Sequence, residues 1–225
     1  MYVGWNMKTD LVTVSPETSI FKARELMDAR KISQLPVADG HAHLLGIVTD
    51  RDLKQAWASP ATTLSVHELT YVLQKLTVAN IMTRKVITAT PDMTIEHAAR
   101  LIHDKKISAL PVLKNDKLIG IITITDLLEV LVTALSFGKE TSRLSLLVRD
   151  RIGVLAEVAG AMQRLEINIR SVMIVPLPNY PDVWQLILRV RAEFASKAAT
   201  ALQEAGFKVV TQYVEDLTPY LPEEA

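Results

Sequence analysis

Apolar residues recur along this chain with two different periods. Ile20, Ala23, Leu26 and Met27 share one face of a 3.6-residue repeat, and Ile95, Ala98, Leu101 and Ile102 copy the spacing, so each set predicts an amphipathic helix. Runs rich in branched apolar residues at 34–37 and 45–49, and again at 109–113 and 118–122, predict paired strands around turns that contain Gly, Asn or Asp. Extended segments ending at a proline, 12–14 and 86–89, precede the helices, and closing helices start near Asp52 and Asp126. The predicted order is β-α-β-β-α, written twice.

The two copies align letter by letter. A shift of 75 places Met7 on Met82, Val12 on Ile87, Pro16 on Pro91 and KISQLPV (31–37) on KISALPV (106–112). Beyond the turn the shift is 74, and Gly46, Thr49 and Asp52 meet Gly120, Thr123 and Asp126. One copy of about 55 residues buries little apolar surface by itself. Two pseudosymmetric copies are therefore expected to pack sheet against sheet.

The pattern changes after LVTALSFGKETSR, where an apolar helix gives way to Gly138 and polar residues. Residues 144–148 predict a strand, and Val154, Leu155, Val158, Met162 and Leu165 form a helical stripe. Residues 169–175 and 183–190 predict two strands around a Pro-Asn-Tyr-Pro turn, followed by a helix over 195–205 and a last strand over 207–210. This β-α-β-β-α-β order is ferredoxin-like. The expected fold class is α+β, with repeats over 5–60 and 76–135, a linker over 136–143 and a third domain over 144–215. Gly138 is the expected hinge of the linker, or a helix C-cap.

The doubled pattern resembles a CBS-domain pair, or Bateman module, on IMT (81–83), ISALPV (107–112), GIITITD (120–126) and their first-copy partners. The resemblance implies a pair that binds an adenosine-containing ligand: AMP, ADP, ATP or S-adenosylmethionine. It implies that Asp52 and Asp126 accept from ribose hydroxyls and that Thr49 and Thr123 face the phosphate side. It also implies a base near Thr13 or Thr88 and the backbone at Ser33 and Ser108. The chemistry agrees in kind, because a strand-to-helix junction offers free N–H groups and a positive dipole end to an anion. Capping gives the same letters another use: Asp52 with Gln55, and Asp126 with Glu129, each spell a capping box. Arg51, the only basic residue inside either Thr-x-x-Asp turn, serves a phosphate or stays a solvated charge. Where nucleotide-sensing members of that family carry basic side chains, this chain has Ser33, Gln34, Ser108 and Ala109. Multiple phosphates are thus expected to be less well served than a monophosphate or a sulfonium.

DRIGVLAEV (150–158) followed by INI (167–169) resembles an ACT domain, a module that senses amino acids. That resemblance implies an amino-acid site at Asp150, Gly153 and Asn168, although a cap at Asp150 and a turn at Gly153 explain the same letters. The order CBS, CBS, ACT resembles the acetoin utilization proteins of the AcuB family, which implies regulation of acetoin or acetate metabolism.

Composition narrows the alternatives. Lys+Arg and Asp+Glu are 25 each, so no net positive field holds nucleic acid or an anionic membrane. A metabolite-responsive gene regulator, the second reading, needs a basic recognition helix that the sequence does not show. No apolar run reaches the roughly 18 to 20 residues of a membrane span. MYVGWNMKTD lacks a signal peptide's pattern, and Cys is absent, so a soluble cytoplasmic protein is expected. His41-Ala42-His43 has no third ligand nearby in sequence, and no metal is expected there. Without a nucleophile-elbow, phosphate-loop or zinc pattern, the expectation is a non-catalytic sensor, with an enzyme of unrecognised site as the third reading. Its partners would be the small regulatory ligand, an unidentified protein target and a second copy, since LLEVLVTAL (127–135) is more apolar than a helix on one small module needs.

Overall fold

The computed structural model describes residues 1–58, 75–138 and 140–222. Residues 59 and 60 of the expected first repeat, and Lys139 of the expected linker, lie outside the described residues. The chain divides into two compact units, Met1–Leu128 and Glu129–Ala225.

The first unit holds both copies. Helix α1 (Ile20–Arg30), strands β1 (Gln34–Ala38) and β2 (Leu44–Thr49) and helix α2 (Asp50–Ala58) form the first. Helices α3 (Val78–Ile81) and α4 (Ile95–Lys105), strands β3 (Ala109–Lys114) and β4 (Lys117–Thr123) and helix α5 (Ile124–Ala134), whose last turns belong to the second unit, follow. α1 and α4 start alike, with Ser19 and Thr94 hydroxyls accepting from the Lys22 and His97 amides, because each lies just ahead of the apolar stripe. Both hairpins are antiparallel and shift register after Val37 or Val112, next to the turn where the copies differ in length. The extended segments pair in parallel at one residue each, Val14 with Val37 and Ala89 with Val112.

The copies are joined by an exchange of their leading segments. The Thr83 amide donates to Ile47 O at 2.9 Å and its carbonyl accepts from the Ile47 amide at 3.0 Å, which adds the lead of copy two to β2. Lys8 pairs with Ile121 in the same way at 2.9 and 3.0 Å, which adds the lead of copy one to β4. Val78 and Met82 are consequently buried with Leu35, Val37, Val48 and Leu53 of the first copy. Close approach explains the motif glycines. A Cβ on Gly46 would lie 2.6 Å from Met82 Sδ and 3.0 Å from Thr83 O, and one on Gly120 would collide with Met7 and lie 3.1 Å from Lys8 O.

The second unit contains β5 (Thr141–Arg149), α6 (Val154–Arg164), β6 (Ser171–Pro176), β7 (Val183–Arg191), α7 (Ala195–Glu204) and β8 (Val209–Val210). The sheet order is β6-β7-β5-β8 with every pair antiparallel, which is the ferredoxin-like topology. Alternate residues Leu144, Leu146 and Val148 of β5 and Leu186, Leu188 and Val190 of β7 pack on Val158, Met162, Ala198 and Leu202 of the helices. On the other face Leu147, Val183 and Val210 are covered by Tyr180, Val214, Leu217, Tyr220 and Leu221, so packed chain continues past 215.

Two expectations about the joint are corrected. The left-handed residue that ends α5 is Ser136 (φ 52), with the Phe137 amide bonded to Val132 O at 3.1 Å; Gly138 is not a C-cap. β5 begins at Thr141, and side chains tie the joint to the sheet: Ser171 Oγ donates to Leu135 O at 2.9 Å, Thr141 Oγ1 donates to Ser136 O at 2.8 Å, and Arg189 lies 4.5 Å over the Phe137 ring. These contacts oppose a hinge at Gly138.

If the exchange holds the repeats together, Gly46→Ala and Gly120→Ala each lower stability by about 1 to 3 kcal/mol, the usual cost of overpacking. Gly138→Ala, which meets nothing within 4 Å, stays within about 0.5 kcal/mol. Denaturant titration of the three variants checks this; equal effects would contradict the exchanged packing.

Candidate functional site

β2 ends at Thr49 and α2 starts at Asp50, so the Thr-x-x-Asp letters span a helix start. Asp52 Oδ2 accepts from the Thr49 amide at 2.8 Å and from Thr49 Oγ1 at 2.7 Å, while the Asp52 amide donates to Thr49 Oγ1 at 3.3 Å. Thr123 and Asp126 repeat this at 2.8, 2.6 and 3.3 Å. The capping box is thus Thr49–Asp52 and Thr123–Asp126, not Asp52–Gln55 and Asp126–Glu129, and each Asp sits at the third helical position rather than at the N-cap. Helix initiation alone accounts for a Thr three residues before an Asp. A ligand site needs further evidence: space, and groups left open.

The first unit supplies both around Asp52. A cavity of about 900 Å³ is lined by Ser33, Gln34, Thr49, Arg51 and Asp52 from copy one, by Thr83 of the exchanged lead and Lys85, Val86 and Ile87 that follow it, and by Lys106, Ile107 and Ser108 from copy two. The structure therefore brings Ser33, Thr49, Arg51, Asp52 and Ser108 together, and Gln34 Nε2 donates to Ser108 Oγ across the repeats at 2.8 Å. Thr13 and Thr88 do not line this cavity, and Thr123 and Asp126 belong to the turn of the other copy. Asp52 is half-buried, and among the described residues its Oδ1 has no hydrogen-bond partner.

Charge in this cleft departs from the expectation. Lys54 pairs with Asp50 at 2.5 Å, and Arg24 reaches the same carboxylate at 2.6 Å. The Lys54 hydrogen bond, with both cations, holds the Asp50 carboxyl below its usual range against the opposing effect of burial. Arg51, Lys85 and Lys106 also line the cleft, and among the described residues none of them has a carboxylate partner. Sequence reasoning looked for basic residues next to the motif. It missed Lys85, which follows directly on the exchanged lead, and Lys106, the left-handed residue that ends α4.

The second turn is closed. Asp126 is 5% exposed, and Lys8 Nζ lies 2.9 Å from its Oδ1, the oxygen that corresponds to the open one on Asp52. Burial pushes the Asp126 carboxyl upward, but the bonds from Thr123 Oγ1, Lys8 and the Thr123 amide outweigh it and hold the group below its ordinary range.

In the second unit the residues expected to hold an amino acid do not line the cavity beside α6. Asp150, Gly153 and Asn168 are exposed; Gly153 is the α6 N-cap (φ 92), and no side chain caps that helix. A nearby cavity of about 360 Å³ is lined instead by Arg149, Arg151, Glu157, Phe207 and Lys208, with Arg151 holding Glu157 through two bonds of 2.6 Å. His43 Nδ1 lies 2.9 Å from Asp39 Oδ2; the His43 amide and ring together lower the Asp39 carboxyl to about 2. Among the described residues no three His, Cys, Asp or Glu side chains form a metal-sized group.

The family model for the CBS domain matches residues 3–59 and 78–133, about half of the chain, and the chain belongs to the CBS domain family. A CBS domain-containing protein of Dictyostelium discoideum is 34% identical over 130 residues, which are 57% of this chain and 90% of that one. A homoserine O-acetyltransferase of Methanosalsum zhilinae is 39% identical over 117 residues, 52% of this chain but only 21% of the enzyme. An inosine-5′-monophosphate dehydrogenase of Methanocaldococcus jannaschii is 33% identical over 121 residues, 53% of this chain and again 21% of the enzyme.

Solved CBS pairs share the fold. The pair of protein MJ0100, in complex with 5′-methylthioadenosine and S-adenosyl-L-methionine, has a TM-score of 0.51 at 28% identity and covers 59% of this chain and 97% of that one. CBSX2 of Arabidopsis thaliana in complex with AMP has a TM-score of 0.51 at 31% identity, covering 59% and 96%. A Vibrio cholerae protein assigned to acetoin utilization (AcuB) has a TM-score of 0.52 at 27% identity, covering 60% and 93%. Among the described residues no helix is long and apolar enough to cross a membrane.

The Asp126 turn carries a pH signature. Its folded carboxyl titrates below the reference value of 3.8, so the stabilisation it gives is complete above that value and is lost as pH falls through the lower folded one. Asp126→Asn removes this part of the acid limb, so urea midpoints at pH about 3 and about 6 should lie closer together in the variant than in the wild type. An unchanged difference contradicts the assignment.

Proposed function

We propose that this chain is a non-catalytic regulatory sensor whose Asp52 cleft binds an adenosine nucleotide and passes a conformational signal to a metabolic protein. One observation carries the reading: the half-buried Asp52 carboxylate, with one oxygen free of partners among the described residues, shares a cavity of about 900 Å³ with three cations that lack carboxylate partners among the same residues. A space of this size suits a nucleotide. Ribose hydroxyls donate to Asp52 Oδ1, Ile47, Val86, Ile87 and Ile107 offer apolar walls to the base, and Arg51, Lys85 and Lys106 receive phosphate oxygens. The relatives in complex with AMP and with S-adenosyl-L-methionine support an adenosine ligand. The cations favour its phosphorylated forms, ADP and ATP before AMP, over a sulfonium.

We read the second unit as an ACT domain with an amino acid as second input. Its ferredoxin-like topology and the Gly153 turn ahead of α6 support this. Likeness to the AcuB protein supports a place in acetoin or acetate metabolism. The exposed stripe Ile124, Leu128, Leu131 and Val132 on α5 supports a homodimer. We read the protein as cytoplasmic.

Calorimetry with ADP, ATP, AMP and S-adenosylmethionine tests the ligand. ADP and ATP should bind more tightly than S-adenosylmethionine, and Asp52→Asn should weaken ADP by about 1.5 to 3 kcal/mol, as loss of a charged hydrogen bond does. Lys85→Gln and Lys106→Gln should each weaken ADP severalfold while leaving adenosine unaffected. No binding by any nucleotide, or tightest binding by S-adenosylmethionine, overturns the reading. Sedimentation of the same samples should give twice the mass of the chain, and a monomer contradicts the dimer.

A further inference from the structure

The two Thr-x-x-Asp clefts have diverged although their backbones match. Thr83 pairs with Ile47 as Lys8 pairs with Ile121, so residues 83 and 8 occupy equivalent places beside Asp52 and Asp126. Thr83 and Asp52 both line the cavity, and among the described residues Asp52 Oδ1 has no hydrogen-bond partner. Lys8 instead places its ammonium 2.9 Å from Asp126 Oδ1, and the carboxylate is left 5% exposed.

The surrounding charges have changed in the same sense. By the repeat register Lys85 corresponds to Asp10, Arg51 to Thr125, Lys54 to Leu128 and Asp50 to Ile124. Of the four cations that line the Asp52 cleft, only Lys106 keeps a basic counterpart, Lys31. Ile124 and Leu128 are 48% and 55% exposed, so the polar pair Asp50–Lys54 is replaced by open apolar surface.

Resting on the nucleotide reading of the Asp52 cleft, we propose that the chain takes one adenosine nucleotide per CBS pair. Lys8 holds the second site shut by occupying its ribose-accepting carboxylate. Two effects act together. A ribose at Asp126 would have to displace a charge-assisted bond to a buried carboxylate, and its phosphates would meet Asp10 where the other cleft has Lys85. The Lys8–Asp126 pair also fixes the lead of copy one on β4, so the closed cleft serves as a latch while the open one senses.

Calorimetry with ADP on the full chain and carboxyl NMR of the ligand-free protein test this separately. ADP should titrate to one equivalent per chain. Asp52→Asn should weaken that event at least tenfold, while Asp126→Asn changes neither its stoichiometry nor its affinity beyond twofold. In the NMR arm the Asp126 carboxyl should titrate at higher pH in Lys8→Thr than in the wild type; Lys8 is 65% exposed and Thr suits an edge strand, so the variant should fold. Two ADP per chain, or loss of the single event in Asp126→Asn, overturns the proposal. So does an Asp126 titration that Lys8→Thr leaves unmoved. Absence of any ADP binding with the NMR shift present rejects the nucleotide reading and leaves the Lys8 latch standing.

Discussion

The exchange of leading segments is the constraint on which the first unit depends. Each lead, residues 1–8 or 76–83, adds its backbone to the hairpin of the other copy, at Ile121 or at Ile47. The core of the first copy is then completed by Val78 and Met82 of the other lead. The same crossing decides what surrounds each Thr-x-x-Asp turn. Lys85 lines the Asp52 cleft, and Lys8 pairs with Asp126, because the leads are swapped.

On the proposed reading, the Thr-x-x-Asp turn joins helix initiation to recognition without conflict. One carboxylate oxygen closes the capping box with Thr49 or Thr123, which fixes the side chain and leaves the other oxygen with a set direction. Pre-organisation of this kind lowers the cost of ordering an acceptor when a ligand arrives. Asp52 lines a cavity and its second oxygen has no partner among the described residues, whereas at Asp126 that oxygen meets Lys8.

The features legible in the sequence were local or repeated. Helical stripes, hairpins and the β-α-β-β-α-β order of the second unit follow from side-chain period, and the repeat identified equivalent residues. What escaped depended on contacts between residues far apart. Nothing near Asp126 in sequence announces Lys8, and Lys85 looks like a loop cation until the Thr83–Ile47 register places it beside Asp52. Other misses were local competitions between two good candidates. Gly138 is the residue best suited to a left-handed cap, yet Ser136 adopts it because the helix hydrogen bonds run out there, and Ser171 and Thr141 then bind the freed carbonyls of Leu135 and Ser136. In the capping box Asp is a common N-cap, but Thr49 and Thr123 stand one strand residue before the helices and take that place.

On the proposed reading, a pair with one open and one latched cleft would respond to a single ligand along a simple saturation curve, with the second turn serving as fixed structure. The most direct measurement is a crystal structure of the full chain grown with ADP. The account expects one nucleotide in the Asp52 cleft, its ribose hydroxyls within hydrogen-bond distance of Asp52 Oδ1, its phosphates on Lys85 and Lys106, and Lys8 still on Asp126. A nucleotide with its ribose on Asp126, or one bound away from both turns, would contradict it.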